Sequence, residues 1–462
     1  MKKLYFDTDK LDRRCIDELG MSEWLLQENA AAKVEQTIRE KLPVSSKVLV
    51  VCGGGNNGAD GIAVARRIYP DYNVSIMLVS EKLNLMVREQ LDIAKKVGVS
   101  LVKNEVENIS GYHCYVDAIF GSGLNKELSG EITEIIDALN HQKGLKIAVD
   151  FPSGVEKSGV IRSRAFIADT TVSMGAMNVG LFLDQAKDFV GRIELANLGI
   201  TNTKFSELET DYFLLESSDM MLPFRFIQDS HKGDYGHLYV ISGDMKGASE
   251  ICGLAANAIG AGLVSIVSDE RVGSAILMQK RSFHDAKFVV AGCGLGSSYI
   301  SLDKLTNKTC VIDADLCYDA GIINLLENNP NIVITPHPKE FVSLLRLANI
   351  ADVSVSELQD RRFELAKEWS LKFESVLVLK GANTIIAHKG KLYISNLGTN
   401  VLAKGGSGDT LAGFIGGLLA QGYSTLDAAI TGVLAHSLAG VKFSKNSYSL
   451  TPLDIIESVK NL

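Results

Sequence analysis

The sequence predicts an α/β protein built from two α/β/α sandwich domains. Short apolar strands alternate with helical stretches along most of the chain, the pattern of a parallel sheet covered on both faces. That rhythm fades across Thr203–Pro223 and then restarts. A length of 462 residues suits two large α/β units. The expected domains are residues 1–210 and 220–462.

The first forty residues read as helix, because Trp24, Leu25, Val34 and Ile38 recur at helical spacing. KVLVVC, from Lys47, is a short apolar strand. GGGNNGADG follows as a turn, and ADGIAVARRIY as a helix. Then come strand NVSIMLVS, a helix around Met86–Val97, strand CYVDAIF, helix EITEIIDALNH and strand KIAVDF. DTTVSMGA and GRIELANLGI read as two further strands. TKFSELETDYFLLESSDMMLP is acidic, without a clear period. After it come strand YGHLYVISG, helix GASEICGLAANAIGAG, and strands LVSIVS, AKFVVAGCG, TCVIDAD, NIVITPH and SVLVLKG. TIIAHKGKLYIS reads as a hairpin, and two small-residue helices, Asp409–Gln421 and Leu426–Phe443, close the chain.

The net charge is −8 with no sustained basic run, which argues against nucleic acid or an anionic membrane as a main partner. A hydrophobic content of 46% with 22% charge excludes wholesale disorder. Seven scattered cysteines without a C-x-x-C pair argue against a disulfide framework or a zinc site and for a reducing compartment. The N-terminus carries acidic residues where a signal core would be apolar. The longest uncharged stretch, between Asp409 and Asp427, is Gly-rich and reads as a buried helix, not a membrane span. The cytoplasm is the expected location.

Gly53-x-Gly55-x-x-Gly58 stands in a strand–turn–helix setting, where backbone N–H groups attract anions. Asn56 and Asn57 place amides in the turn. Asp60 places a carboxylate in what reads as the first helical turn, where it repels phosphate and suits hydroxyl groups. Two more strand ends carry Gly121-Ser122-Gly123-Leu124 and Asp150-Phe151-Pro152-Ser153-Gly154. Ligands of parallel sheets bind at the C-terminal ends of strands, so Asn57, Asp117, Asp150 and Ser153 are expected to converge there. Such oxygens suit a hard cation, and a carboxylate among them can move protons.

NNGADG, DAIFGSGL and DFPSG resemble the NNGGDG, DAIFGTGL and DIPSG motifs of the NAD(P)H-hydrate epimerase family (YjeF N-terminal domain, Rossmann-like), over residues 1 to about 210. The resemblance implies that Asn56, Asn57, Gly58, Ala59 and Asp60 line the hydrated nicotinamide nucleotide. It implies that Gly121, Ser122, Gly123, Leu124, Asn125, Lys126 and Glu127 cradle its phosphates, and that Asp150 contacts it. Asn57, Asp117 and Ser153 would hold a potassium ion. Ala59 departs from the usual Gly, and its methyl is expected to narrow the turn.

In the second half, Gly405-Gly406-Ser407-Gly408-Asp409 is the strongest signal. Glycines let the backbone close around an anion, a helix start points N–H groups at it, and a carboxylate sits beside it. That set suits phosphoryl transfer, with Asp409 taking the proton of the attacking hydroxyl. Together with HKGDYG (from His231), GAGLVS, GCGLG, TPHPKE and KGANT, it resembles the ADP/ATP-dependent NAD(P)H-hydrate dehydratase family (YjeF C-terminal domain, ribokinase-like), over about residues 225–462. The resemblance implies that Lys380, Gly381, Ala382, Asn383, Thr384 and Gly408 bind adenine nucleotide. Ala261, Gly294, His337 and Asp409 would contact the hydrated cofactor, and Mg²⁺ would accompany ADP or ATP. Cys293 and Lys339 depart from the family's Pro and Gly, and DADLC, from Asp313, lacks its Asn.

The implied activity is repair of NADH or NADPH hydrated at C6 of the nicotinamide ring, by a homo-oligomer. The first domain would interconvert the R and S hydrates, with Asp117 or Asp150 as the acid/base. The second would phosphorylate the S hydroxyl and eliminate phosphate, using ADP or ATP. Two other classes fit parts of the pattern: a small-molecule kinase fused to a dinucleotide-binding domain, and a non-catalytic nucleotide sensor.

Overall fold

In Lys47–Cys52 the side chains alternate between two apolar layers. Val48 and Val50 enter one cluster, and Leu49 and Val51 the other. A strand apolar on both faces needs helices on both sides, and these helices supply them. The computed structural model describes residues 1–462 except Asn125 and Ser129. The chain divides into a unit of Lys3–Thr210 and a unit of Met1–Lys2 with Asp211–Leu462.

The first unit has a seven-stranded parallel sheet. Its order is Ser100–Val102, Asn73–Leu78, Lys47–Cys52, Cys114–Ala118, Leu145–Val149, Thr170–Met174 and Arg192–Ala196. The chain starts in the middle of this sheet, winds to one edge, and returns to build the other. The reversal lies between Lys47–Cys52 and Cys114–Ala118, and the crevice at such a reversal is where these sheets bind ligands. Helices Glu23–Lys41, Asn56–Ile68 and Leu85–Val97 cover one face, and Glu131–His141 the other.

The second unit repeats the logic. Its strands run Met278–Lys280, Leu263–Val267, His237–Ile241, Phe288–Ala291, Thr309–Ile312, Ile332–Ile334 and Val376–Leu379, all parallel. The antiparallel hairpin Thr384–His388 and Lys391–Ser395 follows, and Tyr212–Leu214 pairs parallel with its outer strand. Helices Lys246–Ala258, Ser407–Ala420 and Thr425–Val441 pack in one apolar layer. The first two cross closely at Gly413, where a Cβ would lie 2.3 Å from the Cys252 carbonyl oxygen.

The fold is thus the expected pair of α/β/α sandwiches, with local corrections. The opening stretch read as helix begins with strand Lys2–Tyr5, followed by helices Asp9–Asp17 and Glu23–Lys41. The patternless Thr203–Pro223 segment contains strand Tyr212–Leu214. Helices Pro338–Leu347 and Arg362–Lys372 were not foreseen. No helix among the described residues is long and apolar enough to cross a membrane. All seven cysteines are buried and unpaired.

Candidate active sites

At the first unit's reversal point, helix Asn56–Ile68 starts directly after the Gly53–Gly55 turn. Its start precedes the expected one, so Asp60 is the fifth helical residue, not a first-turn residue. There, burial and then the charges of Asp150 and Asp12 push its carboxyl well above the usual range, against a hydrogen bond from Gln27. Asn57 turns its amide inward, and neither its nitrogen nor its oxygen has a partner among the described residues.

Asp150 ends strand Leu145–Val149 in a left-handed conformation, φ +66°. Its Oδ2 accepts the Ser122 N–H at 2.9 Å. Gly121 lies between these side chains: a Cβ there would fall 2.8 Å from Asp150 Oδ2 and 3.2 Å from Asn57 Oδ1. Burial raises the Asp150 pKa, and the Ser122 N–H opposes that rise.

Asn56, Asn57, Asp60, Gly121–Leu124 and Asp150 line one cleft of about 550 Å³. Gly58 and Ala59 do not, since both are buried behind the turn; the Ala59 methyl fills the apolar layer and leaves the turn's width alone. Lys126 and Glu127 are exposed and outside the cleft wall, and Asn125 lies outside the described residues. Thr8, Asp9 and Asp12 complete the wall from the N-terminal segment, which sequence reasoning assigned to helix without a site role.

Asp117 is fully buried and tied to its own loops. Its Oδ2 accepts the Ser153 N–H at 2.7 Å, and its Oδ1 accepts the Ser153 hydroxyl at 2.6 Å and the Ile119 N–H at 3.2 Å. Burial pushes it up to about 6 against those three donors. Ser153 Oγ also accepts the Phe120 N–H at 2.9 Å. Asp117 and Ser153 thus clamp two strand-end loops together, and neither reaches the cleft wall.

In the second unit, helix Ser407–Ala420 begins two residues earlier than expected, so Asp409 sits inside its first turn. The preceding Gly406 has φ +85°, a conformation natural to glycine. Burial, then the charge of Asp313, raise the Asp409 pKa, while the Cys293 thiol and Lys380 lower it. Lys380 Nζ donates to Asp313 Oδ1 at 2.7 Å and lies 4.0 Å from Glu340 Oε2. A Cβ on Gly408 would lie 3.4 Å from Lys380 Nζ and 3.8 Å from Asp313 Oδ2. Lys380, Gly408 and Asp409 therefore meet, and Asp313 joins them.

His337 caps helix Pro338–Leu347. Its N–H donates to Glu340 Oε2 at 2.7 Å, its Nδ1 accepts the Glu340 N–H at 3.2 Å, and its Nε2 lies 3.1 Å from Glu340 Oε1. Buried Arg362 donates to the carbonyls of Leu379, Lys380 and Asn383, which fixes the Lys380–Asn383 turn; Gly381 and Ala382 stay exposed on it, and Thr384 opens the next strand.

Ala261 is not at this site. It precedes strand Leu263–Val267 and follows Gly260, where a Cβ would lie 2.9 Å from the Gln421 side chain just past the end of helix Ser407–Ala420, about 16 Å of helix from Asp409. The small residue that meets Gly294 is Ala248, whose Cβ lies 2.8 Å from a Cβ placed on Gly294. Sequence reasoning missed Asp313, Glu340, Arg362 and Ala248. Asp313 had a signal, as a carboxylate at a strand's C-terminal end. Buried Arg362, on an unforeseen helix, had none.

The family profile described as YjeF-related protein N-terminus matches residues 24–180, and that of NAD(P)H-hydrate dehydratase matches residues 238–461. A bifunctional NAD(P)H-hydrate repair enzyme of Helicobacter pylori is 39% identical over 472 residues, covering 100% of both chains. The chain belongs to the bifunctional NAD(P)H-hydrate repair enzyme family. The Escherichia coli enzyme of that name is 32% identical, covering 94% of this chain and 88% of its own. Among solved structures, the ADP/ATP-dependent NAD(P)H-hydrate dehydratase of Bacillus subtilis, co-crystallised with ATP and Mg²⁺, is 27% identical. It covers 51% of this chain and 92% of its own, with a TM-score of 0.44.

Proposed function

We propose that this chain repairs hydrated NADH and NADPH, its first unit interconverting the R and S hydrates and its second dehydrating the S hydrate with ADP or ATP. The observation that carries the reading is that similarity to enzymes so named spans the whole chain, both candidate sites included.

In the first unit, the Gly121–Leu124 turn takes the phosphates on its backbone, and Asp150 faces the ring as the acid/base. Asp150 is preferred to Asp117 because it lines the cleft, whereas Asp117 has three of about four acceptor positions filled by its own loops. The unpartnered, buried Asn57 amide oxygen fits a cation, and Asp117, with one lone pair left over, and Ser153 would complete its oxygen set. A potassium ion held there would supply fixed positive charge near the phosphates.

In the second unit, Asp409 takes the proton of the C6 hydroxyl as it attacks the nucleotide's terminal phosphoryl group. The first N–H groups of helix Ser407–Ala420 face the charge on the moving group. Lys380 neutralises nucleotide phosphate while Asp313 holds its ammonium in place. Mg²⁺ would travel with the nucleotide and offset phosphate charge. Phosphorylation turns hydroxide, a poor leaving group, into phosphate, and its elimination restores the ring double bond.

The test supplies separated R and S hydrates with ADP or ATP and Mg²⁺ and follows dihydropyridine absorbance. The S hydrate should return to NADH with release of phosphate, and the R hydrate should follow through epimerisation. A stable phosphorylated product would overturn the reading in favour of a small-molecule kinase.

A further inference from the structure

We propose that Asp12, from helix Asp9–Asp17, is a catalytic carboxyl of the first unit that gives a proton to the leaving C6 oxygen while Asp150 takes one from the entering water. The proposal rests on the epimerase reading above and adds a residue and a step to it.

The chemistry asks for two groups. The hydrate carries its hydroxyl on a carbon bonded to the ring nitrogen. One route that inverts that carbon without net change breaks the C6–O bond and re-forms it on the opposite face. As it breaks, the nitrogen lone pair forms the C6=N double bond, and the oxygen leaves as water after receiving a proton. Water then adds from the other face and loses a proton, and the electron pair returns to nitrogen. One proton is given and one is taken, on opposite faces of the ring. Two carboxyl groups, one protonated and one ionised, meet that demand, as they do in other reactions at such carbons.

Four carboxyl groups face the cleft: Asp9, Asp12, Asp60 and Asp150. Asp9 is held by Lys157, and Asp12 comes from a different element than Asp60 and Asp150. Its side chain makes no hydrogen bond or ion pair among the described residues, so its proton is free to move to a ligand. Lys157, the nearby cation, is already bonded to Asp7 at 2.7 Å and Asp9 at 3.0 Å. Asp12 and Asp60 also border a second lobe of about 290 Å³, walled by Ile16, Leu26, Met86 and Leu198. A flat ring placed in that apolar lobe keeps its polar edge at the carboxyl groups.

The charges facing Asp12 are Asp9, Asp60, Asp150 and Lys157, with Arg13 and Glu23 on the lobe's rim. Burial first, then Asp150 and Asp9, push Asp12 up to about 7. Asp150 is better placed as the base, because the Ser122 N–H supports its ionised form.

The experiment uses the full chain and its Asp12→Asn and Asp12→Glu variants. Exchange between separated R and S hydrates is measured without nucleotide, and dehydration of the S hydrate with ADP is measured separately. Asp12→Asn should lower the kcat of exchange by about 10²-fold or more, as loss of a general acid does. Its KM should stay within a few fold, and S dehydration and melting temperature should not change. Asp12→Glu should restore part of the rate. Wild-type exchange should slow as the pH rises through about 7, and Asp12→Asn should lose that limb. Near-normal exchange in Asp12→Asn, a loss confined to KM, or a lost rate with the limb intact would each overturn the role of Asp12. A wild-type chain that dehydrates S but never exchanges epimers would instead bring down the epimerase reading, and this proposal with it.

Discussion

Replacing Asp313 by Asn should destabilise the second unit, and by more at low pH than at high. Asp313 is 2% exposed and holds Lys380 at 2.7 Å. Removing one partner of a buried ion pair costs about 3–5 kcal/mol, because the other charge stays buried alone. Here a reserve anion stands by, since Glu340 lies 4.0 Å from Lys380. In the wild type, burial pushes Glu340 from 4.5 to about 7; Lys380 opposes this and Asp313 adds to it. A carboxyl raised in the folded state contributes its full stability below its unfolded pKa and loses it as the pH rises through the folded one. For Glu340 that window runs from about 4.5 to about 7, a loss of about 3 kcal/mol across it. Without Asp313, Lys380 draws Glu340 back down, so the variant loses less over the same window. The variant's deficit should therefore be about 3–5 kcal/mol near pH 5 and smaller by about 1–2 kcal/mol near pH 8, where Glu340 becomes the counterion. The chain's tryptophans are Trp24 and Trp369, and Trp369 is fully buried in the second unit. Urea unfolding followed by Trp369 fluorescence in a Trp24→Phe background reads this unit alone. An equal deficit at both pH values, or a larger one near pH 8, would refute the argument.

Asp409→Asn should lower dehydration by about 10²–10⁴-fold with nucleotide affinity little changed, checked by turnover and by calorimetric titration with ADP. Gly121→Ala should slow epimer exchange while dehydration persists, because its Cβ would lie 2.8 Å from Asp150 Oδ2 and push that carboxyl aside. Epimer exchange should be faster in potassium than in tetramethylammonium buffer of equal ionic strength, and Asn57→Ala should erase the difference. Fragments 3–210 and 211–462 should separate epimer exchange from dehydration, and dehydration by the first fragment would break the assignment.

Strands buried on both faces were legible because a run such as KVLVVC has no other stable setting. The helix 131–141 was legible from period and charge alone. Lys2–Tyr5 was not, since four residues of mixed character carry no period. Helices Pro338–Leu347 and Arg362–Lys372 follow the segment read as strand NIVITPH and passed as loop, although His337, Pro338 and Glu340 form a complete helix start. At the sites, glycine turns and strand-end carboxylates could be found by position. Contributions from distant chain could not: Asp12 enters the first cleft from the N-terminal helix, and Arg362 braces the Lys380 turn from an unforeseen one. Ala261 was misplaced because a small residue beside a glycine looks alike at either end of a strand, and only register separates the two.

Asp150 combines a left-handed backbone with a cleft-facing carboxylate. Any residue but glycine is strained there, aspartate and asparagine least, by on the order of 1 kcal/mol for these two. Asp150→Gly should therefore raise the melting temperature while removing the carboxylate. Variants chosen from a library for heat resistance would tend to lose this aspartate, and those chosen for epimer exchange would keep it. At this one position robustness and turnover pull in opposite directions, and its natural occupant records which of the two was selected.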